Sequence, residues 1–231
     1  MKCVILASGF GTRLYPLTVD KPKAFLEYKG VPLISHIVNK IPVDIGMIVT
    51  TNKKFEPDFR LWMSTLKRQV SLCVEPVVTP EQSLGAVGSL NYVIKKNRIE
   101  DDLLVIAADN YFEFNLSEFI SAFDGRTALV AVYDVGDRNK AAGYGVVRLD
   151  GNKIVEFEEK PKAPKSSLVA TACWVLPSRI LPSVSEFASR GRKDNLGDFI
   201  THLVKVDSVC AYVFDELWLD IGSTEAYYDT R

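Results

Sequence analysis

Short apolar, β-branched runs alternate along the first half of the chain with segments whose apolar residues fall three and four apart. "CVILA", "GMIVTT", "VSLCVE", "LLVIAA" and "ALVAVY" read as buried strands. Between them, "LISHIVNKI", "DFRLWMSTLKRQ", "AVGSLNYVIKK" and "LSEFISAF" read as amphipathic helices. A β-α-β rhythm predicts a parallel sheet covered on both faces, because a parallel crossover needs a helix to return the chain. The pattern changes after Val135. "YGVVRLDGNKIVEFEE" forms two alternating strands around Asp150 and Gly151, a hairpin signal because both residues tolerate positive φ. A strand "LVATACWVL", a helix "LGDFITHLVK", a strand "VCAYVFDE" and a last helix from Ser223 complete the pattern. No repeat, linker or low-complexity tract interrupts it. Residues 1–231 therefore read as one α/β domain, in which the antiparallel strands of 136–231 add a wall to the sheet built by 1–135.

Composition narrows the picture. At 231 residues and 47% hydrophobic content the chain can bury a sizeable core. No run approaches the ~20 apolar residues of a membrane span, and the N-terminus lacks a basic head, apolar stretch and cleavage site. A cytoplasmic chain with no membrane partner is expected. The net charge of -1 removes the basic excess of a nucleic-acid surface, so any polyanionic ligand must be held by a few placed cations. Cys3, Cys73, Cys173 and Cys210 each sit inside an apolar run without CxxC spacing and read as reduced core thiols. His36 and His202 stand singly on helical faces and read as structural, which leaves no constellation for zinc.

The chemistry concentrates in a few strings. "VILASGFGTRLYPLTVDKPKAF" is a strand that runs directly into a glycine turn, so the turn lies at a strand's carboxyl end, where open α/β sheets bind ligands. Glycines there let backbone N–H groups approach phosphate oxygens. Two familiar phosphate loops are excluded: Leu14 occupies the position of the third glycine of GxGxxG, and no Gly-Lys pair follows. What remains is a glycine turn with its own Arg13, suited to bidentate phosphate contact, and Lys23 as a point charge on a separate arm. Pro16 and Pro22 restrict the segment between them. Asp109 ends the strand of "LLVIAADNYF", and Asp220 follows the aromatic-rich strand of "ELWLDIGSTEAYYDT". Two such carboxylates, with water and phosphate oxygens, would suit octahedral Mg²⁺.

These strings resemble the signature of the sugar-1-phosphate nucleotidylyltransferases, and the likeness covers nearly the whole chain with five motifs in order. The resemblance implies a three-layer α/β/α Rossmann-like fold with a mixed, mostly parallel sheet of the nucleotide-diphospho-sugar transferase type. It implies that a sugar 1-phosphate oxygen attacks the α-phosphorus of a nucleoside triphosphate in line and that pyrophosphate leaves. In that scheme Leu6, Ala7, Gly9, Gly11 and Thr12 bind nucleotide, with Glu75 facing the base and Gly85 beside it. Arg13 steadies the leaving pyrophosphate, and Lys23 the α-phosphate and incoming phosphate. Asp109 and Asp220 hold Mg²⁺, each in a string similar to the family's "GDN" and "WxDxGTxExY". In "GYGVVRLDGNKIVEFEEKP", Gly145 leaves room for the sugar, Glu159 accepts from its hydroxyls and Lys160 binds its phosphate. Thr171 matches the segment that closes over the sugar, where Ala172 replaces a usual glycine.

The base is left open. Glu75, as an acceptor, suits the amine or ring N–H of CTP or GTP better than a carbonyl edge, and Gln82 is the alternative reader. Trp174 and Trp218 read as core residues near the sugar and metal segments. Many relatives carry a C-terminal β-helix; none is expected here, and assembly as a homo-oligomer through the catalytic domain is left open. Two other functions stay beside the first. Cytidylyltransferases acting on phosphocholine share the opening motif, and some relatives are non-catalytic regulatory subunits, although those should lack the cations or carboxylates retained here.

Overall fold

The computed structural model describes residues 1–191, 196–222 and 224–228. The chain opens with β1 (Lys2–Leu6), a small hairpin β2 (Glu27–Tyr28) and β3 (Val31–Pro32), and helix α1 (Leu33–Lys40). The alternation then runs β4 (Gly46–Asn52), α2 (Glu56–Ser64), β5 (Ser71–Glu75), α3 (Ala86–Lys96) and β6 (Leu103–Ala107). A short β7 (Asn110–Phe112) and α4 (Leu116–Ser121) precede β8 (Ala128–Asp134) and one helical turn, α5 (Arg138–Ala141). The second half holds the hairpin β9 (Gly145–Asp150) and β10 (Lys153–Glu159), then β11 (Leu168–Leu176), α6 (Leu181–Ser189) and α7 (Leu196–Val206). It closes with β12 (Val209–Phe214), β13 (Trp218–Asp220) and α8 (Thr224–Tyr228). The last helix was expected from Ser223, which lies outside the described residues.

Nine strands form one sheet in the order β5-β4-β1-β6-β11-β8-β12-β10-β9. β5, β4, β1 and β6 are mutually parallel, as the β-α-β rhythm requires. β11 and β10 run against the other seven, so the sheet is mixed and mostly parallel. β11, late in sequence, inserts antiparallel between β6 and β8 and separates these two strands. Its N-terminal half also pairs with β9, which folds the end of the strand order back onto the sheet.

Alternation along the buried strands builds two cores. Cys3 and Ile5 of β1 face one side with α1, α2 and α4, packed through Ile34, Ile37, Phe59, Trp62 and Phe119. Val4 faces the other, with α3, α6 and α7 packed through Leu90, Val93, Val184, Phe199 and Ile200. This is a three-layer α/β/α sandwich.

Helix α6 does not figure in the sequence pattern, and it carries a proline, Pro182. The proline occupies the first turn, where its missing N–H would be unpaired in any case. The hairpin turn falls on Gly151 and Asn152, one residue later than expected, with Asp150 paired to Lys153 and Gly151 at φ +57°. No described helix is long and apolar enough to cross a membrane. Three of the four thiols, Cys3, Cys73 and Cys173, are buried, and burial pushes each upward in pKa. His36 is bonded to the Tyr28 carbonyl at 2.9 Å and packs edge-on against Tyr111, and His202 lies against Phe187.

Candidate active site

The glycine turn leaves β1 at the carboxyl end of the sheet and is pinned before any ligand arrives. The Ala7 N–H donates to the Thr50 hydroxyl at 3.0 Å, and the Asn52 amide donates to the Ser8 carbonyl at 2.9 Å. Both anchors come from the end of β4, the strand alongside β1. The Thr18 hydroxyl, fully buried, donates to the Gly11 carbonyl at 2.7 Å and folds the following segment back over the turn. Gly11 sits at φ +66°, and a Cβ there would meet Thr18 at 3.2 Å, so backbone conformation requires this glycine. At Gly9 a built Cβ would meet nothing within 4 Å, so the protein's own packing does not require a glycine there.

Opposite the turn stand the carboxylates. Asp109 follows β6, and Asp220 ends β13, which pairs antiparallel with β7 in a separate two-stranded sheet. That pairing sets Asp220 against Asn110, and the Ile221 N–H donates to the Asp109 carbonyl at 3.0 Å. Asp109 Oδ2 accepts from Lys23 Nζ at 2.7 Å and Oδ1 from the Asn110 amide at 2.8 Å. Burial alone would raise the Asp109 pKa, but Lys23 and these hydrogen bonds outweigh it and hold the carboxyl below its usual range. Asp220 goes the other way. Burial and the Asp109 charge push it up to about 6, against the opposing pull of Lys23, Lys160 and Arg13. Three cations far apart in sequence thus act on one carboxylate.

The third wall comes from β9, β10 and β11. Gly145 opens β9 directly opposite Glu159 at the end of β10. A Cβ on Gly145 would lie 2.4 Å from Phe157 Cζ and 3.1 Å from Glu159 Oε2. Lys160 adopts φ +47°, unusual for a non-glycine residue, with its N–H bonded to the Tyr144 carbonyl at 3.0 Å. Thr171 lies in an irregularity of β11 between Ala170 and Trp174. Its hydroxyl donates to the Ala131 carbonyl at 3.0 Å, so Thr171 contributes shape to the wall while its polar atom is spent within the sheet.

These residues line one cleft of about 480 Å³, within the range of small-molecule sites. Of the candidates named from the sequence, Glu75 is the exception. It is 1% exposed, and the alternation of β5 turns it, like Cys73, inward toward α3. Burial pushes its carboxyl up in pKa, the Ser8 and Ser89 hydroxyls act against that, and Oε1 has no hydrogen-bond partner. Ser8 and Ser89, bonded to each other at 2.9 Å, are the groups that reach the cleft there. Gln82 does not line the cleft either, because its Oε1 accepts from the N–H groups of Val78 and Thr79 and caps a short turn. Trp174 and Trp218 are buried yet each shows an edge to the cleft. Asn110 and Tyr144, adjacent to Asp109 and Gly145, also line it; both lie inside the strings singled out in the sequence, which assigned a role only to their neighbours.

The arrangement is a phosphate-sized glycine turn with cations and a like-charged carboxylate pair facing it. Two neighbouring carboxylates, one of them pushed up in pKa by burial and by the other's charge, offer the kind of oxygen donors that a hard divalent cation such as Mg²⁺ takes. Among the described residues no group of three or more His, Cys, Asp or Glu is assembled for a metal, so phosphate oxygens and water would have to complete the shell.

Comparison with known proteins accords with this geometry. The family model described as "Nucleotidyl transferase" matches residues 2–231. A candidate mannose-1-phosphate guanyltransferase of Sulfolobus acidocaldarius is 28% identical over 98% of the chain, which spans 61% of that relative's length. The UTP–glucose-1-phosphate uridylyltransferase AglF of Haloferax volcanii is 30% identical over 97% of the chain and 93% of its own length. A solved structure of a candidate glucose-1-phosphate thymidylyltransferase from Bacillus anthracis, in complex with a sucrose, superimposes with a TM-score of 0.87. It is 26% identical and is matched over 100% of this chain and 93% of that one. The chain belongs to the nucleotidyl transferase family.

Proposed function

We propose that the protein transfers a nucleotidyl group from a nucleoside triphosphate to a sugar 1-phosphate, with Mg²⁺, releasing pyrophosphate. The observation that carries this reading is the convergence of Arg13, Lys23 and Lys160 on the Asp109–Asp220 pair across from a pinned glycine turn. A nucleophile that is already a phosphate oxygen needs no general base, and the cleft accordingly needs only positioning and charge neutralisation. The N–H groups of Gly9, Gly11 and Thr12 and the side chain of Arg13 hold the triphosphate, and Leu6 and Ala7 support the nucleoside end with Gly85. Lys23 neutralises charge where the two phosphates meet. Glu159 and Lys160 hold the acceptor's hydroxyls and phosphate, and Gly145 makes room for it. When bound, Mg²⁺ held by Asp109 and Asp220 neutralises phosphate oxygens in the transition state.

The relatives' names cover guanylyl, uridylyl and thymidylyl transfer to mannose or glucose 1-phosphate, so the family alone does not select a base or sugar. Glu75 lies behind the cleft wall, so the acceptor argument for CTP or GTP loses its direct contact. The test is pyrophosphate release with Mg²⁺ for the common NTPs, dTTP included, against glucose, galactose, mannose and N-acetylglucosamine 1-phosphates, with phosphocholine as a second acceptor class. A signal that needs both partners and disappears in Asp109→Ala is expected. Silence throughout, with nucleotide still bound in calorimetry, would contradict transfer and favour a regulatory subunit. Lys23→Ala should lower kcat at least tenfold with a smaller change in KM for NTP, because its charge matters most in the transition state.

A further inference from the structure

The two carboxylates are joined by more than the backbone of the small sheet. Trp218 Nε1 donates to Asn110 Oδ1 at 2.7 Å, and Asn110 Nδ2 donates to Asp109 Oδ1 at 2.8 Å. With Lys23 Nζ at 2.7 Å from Oδ2, each oxygen of Asp109 has its own donor. The polarity of this chain is forced. An indole N–H can only donate and a carboxylate can only accept, so a single orientation of the Asn110 amide satisfies both. Asn110 is 5% exposed and Trp218 7%, so neither bond is readily replaced by solvent. The indole ring is itself held between Tyr133 and Tyr144, with centroids 5.7 and 5.3 Å away. Asp220 lies two residues beyond Trp218 on β13, opposite Asn110. The Trp218–Asn110 bond therefore crosses the pair of strands in which β13 ends at Asp220 and β7 starts at Asn110, the residue directly after Asp109.

We propose that Trp218 and Asn110 are positioning residues that set the plane of the Asp109 carboxylate and its placement relative to Asp220. The metal then meets a preformed pair. The roles follow from connectivity: Trp218 orients Asn110, Asn110 orients Asp109, and neither needs to touch the reacting phosphorus. An aspartate at position 110 could not substitute, because it would still accept from Trp218 but would set a carboxylate oxygen against the acceptor Oδ1 of Asp109. Phenylalanine at position 218 would keep the ring packing and remove only the donor. The proposal rests on the reading of Asp109 and Asp220 as metal ligands.

The experiment is titration of the nucleotide-free full chain with Mn²⁺ alone, followed by electron paramagnetic resonance, for wild type, Asn110→Ala, Trp218→Phe and the double variant. Circular dichroism and thermal unfolding are recorded on the same samples. Each single variant is expected to weaken Mn²⁺ binding about tenfold, the scale seen when groups that orient metal ligands are removed. The double variant should be no worse than the weaker single one, because both substitutions break one chain. A folded Trp218→Phe protein with a Mn²⁺ Kd within twofold of wild type would overturn the proposal, whatever Asn110→Ala does. Wild type that binds no Mn²⁺, or Asp109→Ala that binds as well as wild type, would remove the ligand assignment itself and the proposal with it. The Asp109→Ala control identifies that outcome separately.

Discussion

Individual residues in the cleft trade stability for charge and space. Asp220 shows this most directly. Its carboxyl is pushed up to about 6 by burial and by Asp109, above the ordinary value of 3.8. The folded metal-free protein therefore holds that proton more tightly than the unfolded chain. The resulting stability is fully present below pH ~4 and is lost as pH rises through about 6. Asp220→Asn should consequently raise the metal-free unfolding free energy at pH 7.5, by on the order of 1–3 kcal/mol, and have little effect at pH 4. The same variant should lose nucleotidyl transfer. Thermal scans at the two pH values check the sign, and a variant less stable than wild type at pH 7.5 would contradict it. Gly145→Ala carries a different prediction. A methyl 2.4 Å from Phe157 and 3.1 Å from Glu159 cannot be accommodated without moving one of them. Destabilisation of about 1–3 kcal/mol is expected, together with a rise in KM for the sugar phosphate that exceeds any change for NTP. Steady-state kinetics with each substrate varied in turn separates the two effects.

At the scale of elements, the local signals were legible where periodicity and caps agree and illegible where a distant residue does the capping. α1 and α3 follow the three-four spacing, and their buried faces are the ones it indicates. No glycine or local cap ends α1. The Val38 carbonyl in its last turn, and those of Ile41 and Pro42 just after it, are instead met by the Arg68 guanidinium from beyond α2. Arg68→Ala should cost about 1–3 kcal/mol, read as a lowered Tm, because it removes the donor to the Val38 and Ile41 carbonyls at a half-buried helix end, while the Pro42 carbonyl keeps the Ile45 N–H at 3.2 Å. Arg68→Lys should recover only part of that loss, since an ammonium lacks the planar fork that reaches all three. In the small sheet, β13 was legible as an aromatic-rich strand, but β7 and its pairing with β13 were hidden. Three-residue strands are too short for alternation to show, and their partner choice is set by where α4, β12 and the long excursion between them return the chain.

At the scale of the whole molecule, the cleft belongs to neither half. The glycine turn, Lys23 and Asp109 come from residues before 135, while Gly145, Glu159, Lys160, Thr171 and Asp220 come after, and β11 sits between β6 and β8 to hold the two sets together. A fragment of residues 1–135 should therefore be insoluble or unfolded. Without β11, the wholly apolar β6 would become an open edge, and apolar edges of that kind aggregate. Recovery of a soluble, cooperatively melting fragment by circular dichroism would refute this. The strands of the parallel half and the glycine turn followed from the sequence by itself, and the family resemblance singled out both aspartates and the Glu159–Lys160 pair, which line the same cleft. Burial alternation, strand-end position and motif spacing are local properties of the chain. Only the tertiary structure decided that β11 runs antiparallel through the middle of the sheet, that Glu75 turns away from the cleft, and that Asn110 and Trp218 bind each other across the small sheet. Each of these depends on which segments meet in space, and that is set by long-range packing that no local pattern encodes.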